Sequence, residues 1–457
     1  MAIIGAIADD LTGATTVGAL LAKSGVDTVV LFNTDYIGPQ ESACDHQAVV
    51  VSTDSRALPK ELAYKKVKEA TVKLREIGIK QFSKRIDTTL RGGIGVEIDA
   101  MLDALGEDYV AVMVPAMPQS NRILIGGYSL INGVPLSKTP VANDVKTPVM
   151  ESFIPRLIAS QTKNRIVYVG LDELLQGKEN LKTVLSESRK SGARILLVDA
   201  TSLSEVEMIA QAVTELKWKT VAVDPGPFTE RLSVAHQLAS PDATNVRKVR
   251  TESDSGDEGT VMVVAGSATP VTTMQMKALK RLNGTRVISV KILPLLSGEA
   301  RYEAETQSVV NEVEKLFAAE KPPRVLILAF ETTLTGNLVD LVGQESLHGL
   351  AAGQASGIIS ESLGKITRKV IEKIGDHITG IYLTGGDIMV SACRNLDVKG
   401  IQLVDYVIPQ ADQGKLVGGI CDGLSVVCKG GLTGEEKTAV QCVNRLFDER
   451  KFNQCSR

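Results

Sequence analysis

Residues 3–14 read I-I-G-A-I-A-D-D-L-T-G-A. An apolar run ends in Asp9-Asp10, and Thr12-Gly13 then opens an amphipathic stretch. That is the pattern of a buried strand turning into a helix. In open α/β sheets ligands bind outside the carboxyl ends of the strands, which is where the two acids fall. Adjacent carboxylates repel each other, so a cation, a substrate hydroxyl or a basic side chain is expected beside them. Asp10 has a second reading as a helix cap, because Asp is favoured at that position.

Outward from this turn, strand-like and helix-like segments alternate. Strand candidates follow at 29–32, 48–52, 80–84, 109–114, 165–169, 194–199 and 220–224, with helix candidates at 12–24, 59–77 and 94–105. Such alternation predicts βαβ units and a largely parallel sheet. The stretch 240–259, S-P-D-A-T-N-V-R-K-V-R-T-E-S-D-S-G-D-E-G, is polar without an apolar period and reads as a linker. Beyond it the alternation resumes with strands at 261–267, 324–329 and 380–387 and a helix near 354–374. The expected architecture is two α/β domains, 1–245 and 258–457, with largely parallel sheets and an active-site cleft between them.

The bulk numbers exclude several classes. A chain of 457 residues exceeds one typical core. With a net charge of −3 and 4% aromatic residues, neither nucleic acid nor a membrane surface is expected as partner. No stretch is long and apolar enough to span a bilayer, and the first run lacks the basic flank of a signal peptide. The six cysteines form no C-x-x-C pair and read as reduced cytoplasmic thiols. The four histidines lie far apart and have no metal-ligand spacing.

In the first half, polar clusters follow four strand candidates. They are Asp9-Asp10, T-D-S-R with Arg56, K-R-I-D-T-T-L-R with Lys84, Arg85, Asp87 and Arg91, and P-A-M-P-Q-S-N-R ending in Arg122. If these strands are parallel neighbours, their loops converge on one crevice holding acids beside cations. A forked guanidinium suits a carboxylate, so the ligand expected is small, acidic and hydroxylated. Charges after strands also serve as solvated loops and internal ion pairs, and Arg91 and Arg122 read as structural.

In the second half three glycine turns stand out: A-G-S-A-T-P (265–270), L-T-G-G-D-I (383–388) and C-K-G-G-L-T-G-E-E (428–436). Thr269-Pro270 is a good helix start. Main-chain amides at such turns can cradle a phosphate, and Asp387 could hold a Mg²⁺. There is no G-x-x-x-x-G-K-[ST] loop and no G-x-G-x-x-G fingerprint.

Taken together these motifs resemble the four-carbon acid sugar kinase family, over essentially the whole chain. The resemblance rests on A-D-D-L-T-G-A (8–14), K-R-I-D-T-T-L-R-G (84–92), P-A-M-P (115–118), Gly266-Ser267, Gly385-Gly386-Asp387 and Lys429-Gly430-Gly431. It implies an N-terminal acid-binding domain and a C-terminal nucleotide-binding domain. It also implies sugar-acid binding by Asp9, Arg56, Lys84, Arg85, Ile86 and Asp87, and ATP binding by Ser267, Gly385, Gly386, Asp387, Ile388 and Gly431. Four elements depart from the family pattern: Thr15-Thr16 where many members carry a further Asp after A-D-D-L-T-G-A, G-G-D-I for G-G-D-T, N-R-I-L for G-R-T-T, and K-G-G-L-T-G for K-S-G-N-F-G.

The activity implied is Mg²⁺-assisted transfer of the ATP γ-phosphoryl group to the terminal hydroxyl of a threonate, erythronate or 3-oxo-tetronate. Asp9 or Asp10 would orient and deprotonate that hydroxyl, with Asp87 as rival base, and Asp387 would serve the metal. The departures motivate an alternative, a non-catalytic sensor of a sugar acid or nucleotide. A homodimer is the base-rate expectation for a soluble enzyme.

Overall fold

The computed structural model describes residues 2–38, 45–144, 146–239, 259–319 and 321–455. Its chain divides into two units, Met1–Asn245 and Val246–Arg457. The polar stretch read as a linker lies, apart from Gly259, outside the described residues.

The first unit holds strands β1 (Ile4–Ala8), β2 (Thr28–Leu31), β3 (Ala48–Ser52), β4 (Gln81–Arg85) and β5 (Tyr109–Met113). Next come β6 (Arg122–Ile125), β7 (Tyr128–Ile131) and β8 (Val134–Pro135), then β9 (Ile166–Val169), β10 (Ile195–Val198) and β11 (Lys219–Asp224). Eight of them pair in the order β2-β3-β1-β4-β11-β5-β10-β9, every pairing parallel. Strands β1, β3 and β4 are buried along their whole length. An apolar run such as A-V-V-V-S is what a sheet covered on both faces requires. The chain lays β2 and β3 on one side of β1 and then crosses to β4 on the other. The strand order therefore reverses at β1, which is where α/β sheets bind ligands.

One expectation needs correction. Strand β11 sits between β4 and β5, so the fourth polar cluster leaves a strand that is not next to β4. The segment after β5 instead builds a small antiparallel sheet from β6, β7 and β8. A core of Val, Leu, Ile and Phe joins β5, β10 and β11 to the helices Lys178–Lys190, Leu203–Glu215 and Pro227–Ala235.

The second unit holds β12 (Thr260–Ala265), β13 (Thr285–Val290), β14 (Val325–Phe330) and β15 (Ile378–Thr384). Strands β16 (Gly400–Ile408), β17 (Ala411–Val417) and β18 (Ser425–Lys429) follow. Strands β13-β14-β12-β15-β18 are parallel, and β18-β17-β16 continue antiparallel. Here the order reverses at β12, with β14 on one side and β15 on the other. The alternation read from sequence therefore ends after β15. Cys393, Cys421, Cys428 and Cys442 are buried free thiols. Among the described residues no helix is long and apolar enough to cross a membrane.

Candidate functional site

The carboxyl ends of β3, β1 and β4 deliver one charged cluster. Asp10 begins the helix Leu11–Lys23 as its N-cap, its Oδ1 accepting from the Gly13 amide at 2.8 Å. The cap reading of Asp10 is thus correct, and it does not exhaust the residue. Arg56 donates from Nε to Asp9 Oδ2 at 2.7 Å and from Nη2 to Asp9 Oδ1 at 3.2 Å. The same Nη2 lies 2.8 Å from Asp10 Oδ1. Arg85 Nη1 donates to Asp10 Oδ1 at 3.2 Å and lies 3.7 Å from Asp9 Oδ1. Asp87 is gripped by Arg91, through Nε at 2.6 Å and Nη2 at 3.3 Å. Arg91 in turn reaches Asp144 at 3.2 Å.

Gly13 makes this arrangement sterically feasible. A Cβ there would fall 1.8 Å from Arg85 Nη1 and 2.6 Å from Asp10 Oδ1, so only glycine lets the guanidinium lie against the start of the helix.

The three carboxylates are not equivalent. Burial opposes ionisation of Asp9, but Arg56, then Lys84 and Arg85, outweigh it and hold its carboxyl below the usual range. Burial likewise opposes ionisation of Asp87, and Arg56 and Arg91 overcome it. In Asp10 burial wins, reinforced by the charges of Asp9 and Asp87 against Arg56, and the pKa is pushed up. The Asp10 side chain is 26% exposed, against 4% for Asp9 and 7% for Asp87. All its hydrogen bonds fall on Oδ1, which leaves Oδ2 the least engaged carboxylate oxygen of the three.

Two residues of the expected set sit differently from a ligand contact. Lys84 is fully buried, its Nζ 2.7 Å from Glu97 Oε2 and donating to the Arg85 carbonyl at 2.8 Å. Glu97 also accepts from Ser55 at 2.6 Å. Lys84 therefore ties β4 to the helix Ile94–Leu105 and to the loop after β3. The Ile86 side chain is buried, and its amide donates to the Asp224 carbonyl at 3.0 Å. Glu97 was not read from the sequence. An acid in the first turn of the helix after K-R-I-D was the available signal.

In the second unit the three glycine turns come together. Ser267 ends the segment after β12, Gly385 follows β15 and Gly431 follows β18. A Cβ on Gly431 would meet Ser267 Oγ at 2.4 Å, and one on Gly385, whose φ is +105°, would lie 3.6 Å from the Ser267 amide. Thr269 caps the helix Pro270–Lys280. Thr269 and Thr272 both donate to the Gly431 carbonyl, at 2.7 and 2.8 Å. Lys429 Nζ donates to the carbonyls of Gly430 and Thr433, at 2.6 and 3.2 Å, and Gln275 holds those of Thr433 and Glu435. Burial brings the Lys429 pKa down to about 8. A trans peptide points its N–H opposite its C=O, so drawing these carbonyls inward turns the amides of Gly431, Leu432 and Gly434 the other way.

Gly386, Asp387 and Ile388 open the helix Gly386–Asn395, whose first amides have no intrahelical partner. Asp387 is exposed there, and Ile388 is buried over Gly266. The side chain that departs from G-G-D-T thus faces the core. Asn121, which replaces the glycine of G-R-T-T, adopts φ 54° and ψ 36°, a left-handed conformation that Asn tolerates. Both departures fit the backbone without disturbing it. Among the described residues no group of three or more His, Cys, Asp or Glu could hold a metal ion. A Mg²⁺ carried by phosphates needs only one or two carboxylates, and Asp387 fits that donor set.

The chain matches the models of a sugar-binding N-terminal domain over residues 4–232 and a nucleotide-binding C-terminal domain over residues 262–439. A D-erythronate kinase of Heliobacterium modesticaldum is 35% identical over 444 residues, 96% of each chain. A D-threonate kinase of Salmonella typhimurium is 29% identical, covering 94% of this chain and 95% of the relative. A 3-oxo-tetronate kinase of Burkholderia multivorans is 28% identical, covering 89% of each. A solved structure from Salmonella typhimurium LT2 superposes with a TM-score of 0.76 at 22% identity, over 96% of this chain and 98% of that one. A Haemophilus influenzae protein does so at 0.71 and 23% identity, with the same coverage. These two likenesses speak for the fold alone. The kinase names of the relatives do not favour the sensor reading. The chain belongs to the four-carbon acid sugar kinase family.

Proposed function

We propose that the protein transfers the γ-phosphoryl group of ATP to the terminal hydroxyl of a four-carbon sugar acid of the D-erythronate, D-threonate or 3-oxo-tetronate type. The observation that carries this reading is the carboxylate pair Asp9-Asp10, braced by Arg56 and Arg85 at the switch point of the first sheet. Phosphoryl transfer asks a protein mainly for positioning and charge neutralisation.

Asp10 is the base in this scheme. Its Oδ2 is the oxygen left over by the cap and the arginines, and its raised pKa suits proton acceptance better than the firmly ionised Asp9 and Asp87. Asp9 and Asp87 orient the acid, and Arg56 offers the Nη1 that its ion pairs leave over. Lys84 and Arg85 contribute by fixing β4 and the two acids. In the second unit the amides of Ser267, Gly386, Asp387, Ile388 and Gly431 receive the phosphates, whereas that of Gly385 is already spent on the Lys429 carbonyl at 2.9 Å. Asp387 would hold the Mg²⁺, which when bound neutralises phosphate charge. A cytoplasmic setting suits the buried free thiols, and a homodimer is the expected assembly.

Product analysis by ³¹P NMR tests the regiochemistry. A phosphomonoester coupled to a terminal CH₂ is expected from one of the acids. Phosphate on a secondary hydroxyl, or none, would overturn the scheme.

A further inference from the structure

The cations of the first site are mostly spent on the protein itself. Arg56 and Arg85 are shared by Asp9 and Asp10, Arg91 is taken by Asp87 and Asp144, and Lys84 by Glu97. An anionic substrate entering this cluster meets cations that are already paired. Arg122 differs. Among the described residues it makes no ion pair, and the one hydrogen bond of its side chain runs from Nη1 to the Ser120 carbonyl at 2.9 Å. Its Nε is buried without a partner, and so is the Ser120 hydroxyl two residues earlier. Two such donors on one turn are uncommon in a finished interior, where buried polar atoms are nearly always satisfied. Burial pushes the guanidinium pKa down, and the charge that opposes this is Asp87. Strand β5, which leads to Arg122, runs parallel to β1 and β4 with β11 between, so its carboxyl end opens on the same edge of the sheet as the acid cluster, about 10 Å from that of β4.

The turn that carries Arg122 is stiff. Met117 and Arg122 exchange main-chain hydrogen bonds at 2.8 and 3.3 Å, and the Asn121 carbonyl accepts from Asn132 at 2.9 Å. The far end of the β6–β7 hairpin is pinned by the fully buried Asp199, which accepts from the amides of Gly126 and Gly127 at 2.7 and 3.1 Å. A guanidinium on such a root is preorganised, with little conformational freedom left to lose on binding.

We propose that Arg122, assisted by the Ser120 hydroxyl, binds the carboxylate of the sugar acid and sets the preference for an acid over a neutral polyol. The assignment rests on the function proposed above. Arg56, Arg85 and Arg91 then serve to hold Asp9, Asp10 and Asp87 in place. The fork of Nε and the second terminal nitrogen matches a carboxylate in two parallel hydrogen bonds, and the desolvated, unspent charge supplies the discrimination.

The test is steady-state kinetics of wild type, Arg122→Gln and Arg122→Lys. Each is assayed with the four-carbon acid and with the tetritol of the same stereochemistry, alongside melting temperature. Arg122→Gln is expected to raise the KM for the acid about 100-fold, to leave the KM for ATP within about twofold, and to collapse the preference for acid over tetritol. Arg122→Lys keeps the charge without the fork and should fall between. If Arg122→Gln folds poorly, the ratio of acid to tetritol turnover in Arg122→Lys decides, because a merely structural defect lowers both equally. Wild-type turnover with an unchanged acid KM or an unchanged ratio in the variants overturns this assignment alone. A wild type that phosphorylates no four-carbon acid overturns the proposed function and this assignment with it.

Discussion

Replacing Gly13 by alanine sets two effects of known sign against each other. Gly13 lies within the helix Leu11–Lys23, where alanine is favoured by about 1 kcal/mol. A solvent-facing Gly→Ala change there would stabilise the protein. Here the new methyl would sit 1.8 Å from Arg85 Nη1 and 2.4 Å from its Cζ, so the guanidinium must leave. Arg85 is only 4% exposed and has its Asp10 partner at 3.2 Å. Breaking such a buried pair costs about 3–5 kcal/mol. The net expectation is a loss of about 2–4 kcal/mol, or roughly 5–15 °C in melting temperature for a unit of this size. Displacement of Arg85 also loosens Asp9 and Asp10, so kcat should fall. Scanning calorimetry and steady-state kinetics of Gly13→Ala read both effects. A variant as stable as wild type, or more so, with unchanged kcat would refute the argument that Arg85 packs on the helix start.

Asp10→Asn retains a good N-cap yet removes the proposed base; kcat should fall about 100-fold or more with the KM for ATP within about twofold, in a coupled assay. Glu97→Gln strands the fully buried Lys84, and urea denaturation should report a loss of about 3–5 kcal/mol. Gly431→Ala drives a methyl into Ser267 Oγ, so the KM for ATP should rise about tenfold, equivalent to about 1.4 kcal/mol, while the acid KM holds. Burial pushes the Asp224 carboxyl up to about 6. The folded state therefore binds this proton more tightly than the unfolded chain. The resulting stability is fully present below about pH 4 and lost as pH rises through about 6. Asp224→Asn keeps acceptors for the Gly226 and Phe228 amides, so its stability relative to wild type should improve between pH 4 and 7, by a few kcal/mol at most. Parallel pH curves in denaturation would contradict this.

The strands and the three glycine turns were legible because parallel strands buried on both faces leave continuous apolar runs, and because turns need particular residues. A-D-D-L-T-G-A announced the strand, the cap and the acids within seven residues. Pairings between distant segments were not legible. Nothing in K-R-I-D-T-T-L-R says that Lys84 turns inward to Glu97 while Arg85 turns back to the first helix. The insertion of β11 between β4 and β5 is likewise a matter of topology, to which local pattern is blind. So is the antiparallel turn of β16–β18, whose strands carry more polar residues than the parallel core. The runs R-I-L-L-V-D and T-V-A-V-D each end in an acid. Asp199 and Asp224 became the buried acceptors that pin a hairpin and cap a helix, a role their position at strand ends could have suggested. Arg122 reads as structural in a sequence that does not show Arg56, Arg85, Arg91 and Lys84 each paired with an acid.

The most direct measurement is ADP release in a coupled assay with Mg-ATP against D- and L-threonate, D- and L-erythronate and their 3-oxo forms. The account predicts turnover of at least one of these acids at a rate well above ATP hydrolysis without substrate. Silence across the panel, from folded protein shown to bind ATP, would contradict it.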